Sequence, residues 1–102
     1  MDIRVSKNNS ECIIDVCGRL DTNTAPALEQ CIRENAADSA VLVLDFAKLE
    51  YISSAGLRVL LTTQKIMSAR GGSFILKNVG DDVMEVFEIT GFSDILTIEK
   101  AQ

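Results

Sequence analysis

The feature that most constrains the fold is the run "AVLVLDF", which spans residues 40–46. Its apolar residues follow one another without polar alternation until Asp45. A strand that is buried on both faces has this composition, and such strands are usually parallel and central in their sheet. The run therefore predicts an α/β fold built around a parallel strand.

The segments before this run predict a hairpin and a helix. "DIRVSK" and "ECIIDVCG" alternate on either side of the turn-like "NNS", and we expect a β-hairpin whose second strand ends at Gly18. "DTNTAPALEQCIRENA" predicts a helix with Thr24 as its cap. Pro26 is tolerated only in a first turn, which locates the start of that helix.

The segments after the run continue the alternation of strands and helices. A helix is expected to run to about Arg70, where "RGG" stops it, and "SFILKNV" predicts the next strand. "DDVMEVFEITGF" predicts a short helix in which Asp82 and Glu85 form a capping box and Gly91 takes the left-handed conformation at the end. "DILTIEKAQ" supplies one last short strand.

The resulting order is β-β-α-β-α-β-α-β in a chain of 102 residues, which suits a single domain. Strands that alternate with helices imply a mostly parallel sheet with right-handed crossovers, and the opening hairpin makes the sheet mixed. We expect four to five strands, with the helices packed on the sheet.

Composition excludes several classes of function. The net charge is −5 and the chain has no basic cluster, which argues against binding to nucleic acid or to an anionic membrane. No apolar run is long enough to span a membrane and the N-terminus lacks a signal-peptide core, so we expect a cytoplasmic protein without membrane insertion.

The chain contains no histidine, which excludes Ser-His and Cys-His nucleophile systems and histidine-bearing zinc sites. Its three cysteines, Cys12, Cys17 and Cys31, show no C-x-x-C spacing and are expected to be free thiols in a reducing compartment. No nucleophile–base pair can be assembled, so we expect a protein that is not an enzyme and that needs neither a cofactor nor a metal.

The stretch "YISSAGLRVLL", residues 51–61, places two serines at the start of a helix-like run. Ser53 or Ser54 would serve as a helix cap, and capping alone would justify a serine. Gly56 suggests more, because glycine in a helix costs about 1 kcal/mol relative to alanine. We interpret Gly56 as leaving the backbone open to another molecule.

The same position suits a phosphate. A helix start carries about half a positive charge, so the fold would tolerate a phosphate on Ser54. That phosphate would add about −1.5 to −2 charges and would repel an apolar partner while the domain stayed folded. Such behaviour is that of a switch, for which catalysis is not needed.

The helix that follows has a wide apolar arc, made of Leu57, Val59, Leu60, Leu61, Ile66 and Met67. A surface helix needs an apolar stripe of only about 100° to face a core. Either strands and a neighbouring helix cover both flanks of this arc, or one flank stays exposed for a partner. The sequence leaves both alternatives open.

Two motifs carry a family resemblance. "LVLDFAKLEYISSAGLRVLL" resembles the phosphorylation segment of STAS domains, especially those of bacterial anti-sigma factor antagonists. "GRLDTNTAPALE" is similar to the second hallmark of that family, a glycine and Leu-Asp before a Thr-Ala helix entry. The resemblance covers nearly the whole chain, in order, and implies one STAS domain over residues 1–102.

The resemblance also implies a function. The unphosphorylated form of such a protein binds an anti-sigma factor that is also a serine kinase. Phosphorylation by that kinase, which uses ATP, ends the interaction, and a PP2C-type phosphatase reverses it. The phosphoacceptor lies two residues before the glycine, which is Ser54 here, with Ser53 as the alternative. The expected partner-binding residues are Asp21, Thr22, Ser53, Ser54, Ala55, Gly56, Leu57, Arg58 and Leu61.

Three features depart from the family pattern. Ser53 stands where the family usually has aspartate, Ala55 replaces a second hydroxyl residue, and the C-terminal helix is expected to be reduced. The alternative function is a STAS module that is never phosphorylated. Such a module would act as a scaffold in a multiprotein complex or as a cytoplasmic subunit of a membrane transporter.

Overall fold

The computed structural model describes residues 1–101 and shows an α/β fold with a mixed sheet and three α-helices. The strands are β1 (Asp2–Asn8), β2 (Glu11–Leu20), β3 (Val41–Asp45), β4 (Leu49–Ile52), β5 (Ser73–Val79) and β6 (Thr97–Lys100). The helices are α1 (Ala25–Asn35), α2 (Ser54–Ala69) and α3 (Asp81–Thr90), and a 3-10 turn, η1, spans Phe92–Asp94.

The sheet has the order β1-β2-β3-β5-β6, with β4 paired to β2. Only β1 and β2 are antiparallel, as expected of the hairpin, and the other strand pairs are parallel. β3 lies between β2 and β5, which confirms the central parallel strand predicted from its apolar run.

The three helices cover one face of the sheet. Cys12, Ile14 and Val16 of β2 are fully buried and belong to a single cluster that also holds buried residues from all three helices. Their neighbours Ile13 and Asp15 point to the other face and are half-buried. The apolar core therefore lies between the helices and one side of the sheet.

Six strands form where four to five were expected, because β4 was not predicted as a strand of its own. β3 pairs with the first half of β2, whereas Leu49–Ile52 pair with its last residues, from Gly18 to Leu20. Gly18 does not end β2. It adopts φ +103° at an irregularity in the pairing, and the strand continues to Leu20. The two extra residues, Arg19 and Leu20, extend β2 to the start of α2.

The predicted helix ends are partly corrected. Thr24 is the N-cap residue of α1, but its side chain makes no capping bond. The capping box at Asp82 is wrong, because α3 begins at Asp81 with Gly80 as its N-cap and no side-chain cap. Gly91 adopts φ +83° at the end of α3, which confirms the left-handed ending.

The cysteines Cys12, Cys17 and Cys31 are free thiols within the described residues, as expected. Burial raises the pKa of the Cys12 and Cys31 thiols. β6 is the last element of residues 1–101, with no helix after it. None of the helices in this part of the chain has the length and apolar composition that a membrane span requires.

Candidate functional site

The two serines lie where two parallel strands end side by side. Leu20 at the end of β2 pairs with Ile52 at the end of β4. The Ser53 amide then donates to the Leu20 carbonyl at 2.9 Å, which extends this pairing by one residue. Crevices at the carboxyl ends of parallel strands are the usual ligand sites of α/β folds, and α2 starts at this one.

Ser53 and Ser54 have different environments. Ser53 is the N-cap of α2, and its half-buried hydroxyl oxygen accepts from the Gly56 amide at 3.5 Å. Ser54 is the first residue of the helix and is exposed. The cap and the free hydroxyl are therefore supplied by two different serines.

Gly56 does not leave the backbone open, and that interpretation is wrong. The residue is buried against the strands. A Cβ at this position would lie 2.7 Å from Leu20 Cγ and 2.9 Å from Ile52 Cγ1, closer than real Cβ contacts. Glycine is present because the first turn of α2 packs directly on the ends of β2 and β4.

The apolar arc of α2 is mostly core. Leu57, which was expected to bind a partner, is 8% exposed and belongs to the core cluster, as do Val59 and Leu60. Leu61 is half-buried, whereas Ile66 on the other flank is 54% exposed. Both alternatives thus hold in part, since one flank is largely covered and the other ends in an exposed isoleucine.

The outward surface around the serines holds the remaining expected residues. Ser54 and Arg58 are exposed one helical turn apart, and Ala55 between them is half-buried. Thr22, in the loop between β2 and α1, is also exposed. The fully exposed members of the expected set are therefore all polar, namely Thr22, Ser54 and Arg58.

Asp21 organises the loop between β2 and α1. Its carboxylate accepts from the amides of Asn23 at 3.0 Å and Thr24 at 3.1 Å, and from the Thr24 hydroxyl at 3.2 Å. Desolvation acts to raise the pKa of Asp21, but these hydrogen bonds and the nearby Arg19 outweigh it and hold the pKa below its ordinary value. Asp21 is therefore ionised at neutral pH.

The Thr24 side chain supports the same loop. Its hydroxyl shares its single proton between the Arg19 carbonyl at 2.8 Å and the Asp21 carboxylate at 3.2 Å, and it accepts from the Asp21 amide at 2.8 Å. These bonds explain why the hydroxyl does not cap α1. They connect the start of α1 to the end of β2, beside the serines.

Sequence reasoning missed one pair at this end of the sheet. The Arg19 guanidinium lies over the Tyr51 ring, 4.2 Å from its centroid, and both side chains are exposed. The two residues are neighbours in the β2–β4 pairing. Only the pairing of β2 with β4 brings these two residues together, because they are far apart in the sequence.

The electrostatics of the site favour an anion at Ser54. The first turn of α2 contains no acidic residue, and the helix start presents unpaired amides and a partial positive charge. Arg58 adds a full positive charge one turn away. Within residues 1–101, no group of histidine, cysteine or carboxylate side chains is placed to hold a metal ion.

An apolar groove lies away from these serines. It has a volume of about 270 Å³ between α1 and the C-terminal half of α2, where Ile32, Ala36, Ile66 and Met67 line it. At its end the Arg70 guanidinium donates to the carbonyls of Ala36, Ala37 and Ser39. The groove therefore lies between α1 and α2, near the end of α2 that is opposite to Ser54.

Comparisons with known proteins give relatives of known role. The anti-sigma-B factor antagonist of Bacillus subtilis is 30% identical over 98 residues, which cover 96% of this chain and 90% of that protein. The crystal structure of an anti-sigma factor antagonist from Mycobacterium paratuberculosis is 26% identical, with a TM-score of 0.85, and the match covers 96% of this chain and 84% of that one.

A third match shows that the fold is shared more widely. A sulfate transporter family protein from Wolinella succinogenes is 19% identical, with a TM-score of 0.73 over 86% of this chain and 75% of that one. At this identity the likeness concerns the fold alone. The family model of the STAS domain matches residues 2–101, and the chain therefore belongs to the STAS domain family.

Proposed function

We propose that this protein is a cytoplasmic anti-sigma factor antagonist controlled by phosphorylation of Ser54. Its unphosphorylated form binds an anti-sigma factor that has serine kinase activity. Phosphorylation of Ser54 by that kinase ends the interaction, and a PP2C-type phosphatase restores it. The protein acts by binding and performs no catalysis of its own.

The relatives support the first part of this proposal. The Bacillus subtilis protein that matches nearly the whole chain is named an anti-sigma-B factor antagonist. The Mycobacterium paratuberculosis protein of known structure is also an anti-sigma factor antagonist and has the same fold. An anti-sigma factor is the partner that these names imply.

The observation that best supports a phosphorylation switch is the different exposure of the two serines. Ser54 has an exposed hydroxyl at the first residue of α2, where a kinase can reach it. Ser53 is half-buried and serves as the cap. A phosphate on Ser54 would leave the hydrogen bonds of Ser53 to Leu20 and Gly56 intact, and these hold the helix start in place.

Charge supplies the physical reason for release. The phosphate would place about −1.5 to −2 charges beside a helix start and Arg58, a surface that is otherwise free of carboxylates within the first turn. A partner whose surface complements the unphosphorylated site would then face a negative charge that it does not match. Like-charge or desolvated contacts of this kind weaken binding strongly while the domain remains folded.

Ser53 in place of the family aspartate is compatible with the proposal. Serine and aspartate are N-cap residues of similar strength, so the cap of α2 is preserved. What changes is the removal of one negative charge next to the acceptor. The kinase of this protein is therefore expected to recognise a less acidic segment than kinases that act on the usual family sequence.

No observation specifically supports the alternative, in which the protein is a scaffold or transporter subunit that is never phosphorylated. The likeness to a sulfate transporter family protein concerns the fold alone. The exposed Ser54 at a helix start free of acidic residues favours the switch.

The proposal is tested by intact-mass analysis and peptide mapping of the protein purified from its native cells, before and after incubation with its cognate kinase and ATP. We expect one phosphoryl group on Ser54. The Ser54→Ala variant should stay unmodified and bind the partner, and Ser53→Ala should still be phosphorylated. Ser54→Asp should bind more weakly.

Three results would contradict the proposal in different ways. A phosphate that persists in Ser54→Ala and disappears in Ser53→Ala would move the acceptor to Ser53. Wild-type affinity of the Ser54→Asp variant would refute release by charge. No phosphate after incubation with the kinase would favour the scaffold alternative.

A further inference from the structure

The negative charge of this protein is concentrated in one segment. Residues 81–99, which comprise α3, η1 and the start of β6, contain six of the fifteen acidic residues and no lysine or arginine. The rest of the chain holds nine acidic and ten basic residues. The segment therefore carries −6, and the remaining chain carries +1.

The carboxylates of this segment are available to a partner. The six residues Asp81, Asp82, Glu85, Glu88, Asp94 and Glu99 are all exposed. None of them forms an ion pair within the part of the chain that the structure describes. Their charge is thus uncompensated at the surface.

Two apolar side chains protrude from the same segment. Ile89, in the last turn of α3, is 76% exposed, and Ile95, just after η1, is 49% exposed. The tight left-handed turn at Gly91 separates them. Half-buried Phe92 between them packs on the core. We call Glu85, Glu88, Ile89, Asp94 and Ile95 the α3–η1 surface.

The charge of this surface selects among possible occupants. Nucleic acid and anionic membranes are repelled by it. A symmetric pairing of two copies through the same surface would set carboxylates against carboxylates, which is unfavourable. A partner that fits must present positive side chains around an apolar group that covers Ile89 and Ile95.

We propose that the α3–η1 surface is a docking site for a basic segment of a partner protein, anchored by an apolar side chain. Apolar contact at Ile89 and Ile95 supplies the anchor, and the surrounding carboxylates supply attraction and orientation. This site is separate from Ser54 and does not depend on its phosphorylation. It gives the domain a second binding surface.

The test is a titration of the unphosphorylated, full-length, isotope-labelled protein with a short amphipathic peptide of leucine and lysine, followed by NMR. We expect amide shifts that concentrate in residues 85–95 and an affinity that falls as salt is added. Ile89→Ser and Glu88→Lys should each weaken binding about tenfold. A peptide of leucine and glutamate should not bind.

Matched controls separate this surface from general charge and hydrophobicity. Glu34→Lys makes the same charge change at an exposed position near the end of α1, and Ile66→Ser removes an exposed isoleucine from α2. Both controls should change affinity less than about twofold. Thermal melts of all four variants verify that each is folded.

Several outcomes would overturn the proposal. Equal effects of Glu34→Lys and Glu88→Lys would assign binding to net charge alone. Shifts centred on the groove between α1 and α2, or no effect of Ile89→Ser, would place the peptide elsewhere. Shifts at the surface that depend only on the protein's own concentration would identify a second copy as the occupant. We expect the same peptide binding in the Ser54→Ala variant, which cannot be phosphorylated at that residue. Failure of one proposal would therefore leave the other standing.

Discussion

The two ends of α2 are held in place by different kinds of interaction. At the N-terminal end, the absence of a side chain at Gly56 lets the first turn pack on Leu20 and Ile52. At the C-terminal end, the Arg70 guanidinium donates to the carbonyls that follow α1, at 2.7 Å for both Ala36 and Ser39. The first end combines apolar contact with the hydrogen bonds of Ser53, whereas the second is held by the hydrogen bonds of the Arg70 side chain.

The difference shows how the domain can expose a functional group without losing stability. The apolar packing under the first turn does not involve the polar groups on its outer side. The Ser54 hydroxyl is therefore exposed to solvent. At the other end the Arg70 guanidinium binds the end of α1. We therefore expect a change on the outer side of the first turn, at Ser54, to cost less stability than a change at Arg70.

The largest expected effect is at the packed end. Gly56→Val would force a branched side chain against Leu20 and Ile52, and should lower the free energy of unfolding by about 3 kcal/mol. Urea denaturation measures this loss. The control Ser68→Val places valine at an exposed position of the same helix and should change stability by about 0.5 kcal/mol. An equal loss in both variants would refute close packing at Gly56.

A smaller effect is expected at the hydrogen-bonded end. Arg70→Ala removes the donors to Ala36, Ala37 and Ser39 and should lower the free energy of unfolding by about 1–2 kcal/mol, since these bonds are partly exposed. Lys65→Ala removes an exposed charge from the same helix and should change it by less than about 0.5 kcal/mol. Equal stability of the two variants in urea would show that Arg70 is no anchor.

The smallest effect concerns the loop beside the packed end. The pKa of Asp21 is lowered in the folded state, so its carboxylate stabilises the fold above its unfolded pKa of about 3.9. This contribution is lost as the pH falls through the lower, folded pKa. The stability difference between wild type and Asp21→Asn should therefore be constant near neutral pH and vanish in acid. A difference that does not change with pH would refute the role of the charge.

Much of the fold follows from local patterns in the sequence. The apolar run at residues 40–46 predicted a central parallel strand, and "NNS" predicted the hairpin, because burial and turn formation are determined by neighbouring residues. β4 was missed since Leu49–Ile52 is short and two of its residues are exposed, so that it shows no strand pattern. Only its pairing with β2 identifies it.

The candidate site was predictable in position but not in orientation. The start of a helix at Ser53 and Ser54, the absence of histidine and the acidic segment 81–99 are properties of the sequence alone. They exclude histidine chemistry and locate the candidate site at the start of one helix.

Tertiary structure decided which groups of that site face outward. Packing of Gly56 on Leu20 and Ile52 sets the rotation of the first turn of α2, and that rotation turns Ser53 inward and Ser54 outward. Contacts with residues more than thirty positions away, such as those of Arg70 with Ala36, cannot be inferred from local spacing. Such contacts depend on how the whole chain packs, and local patterns carry no information about that.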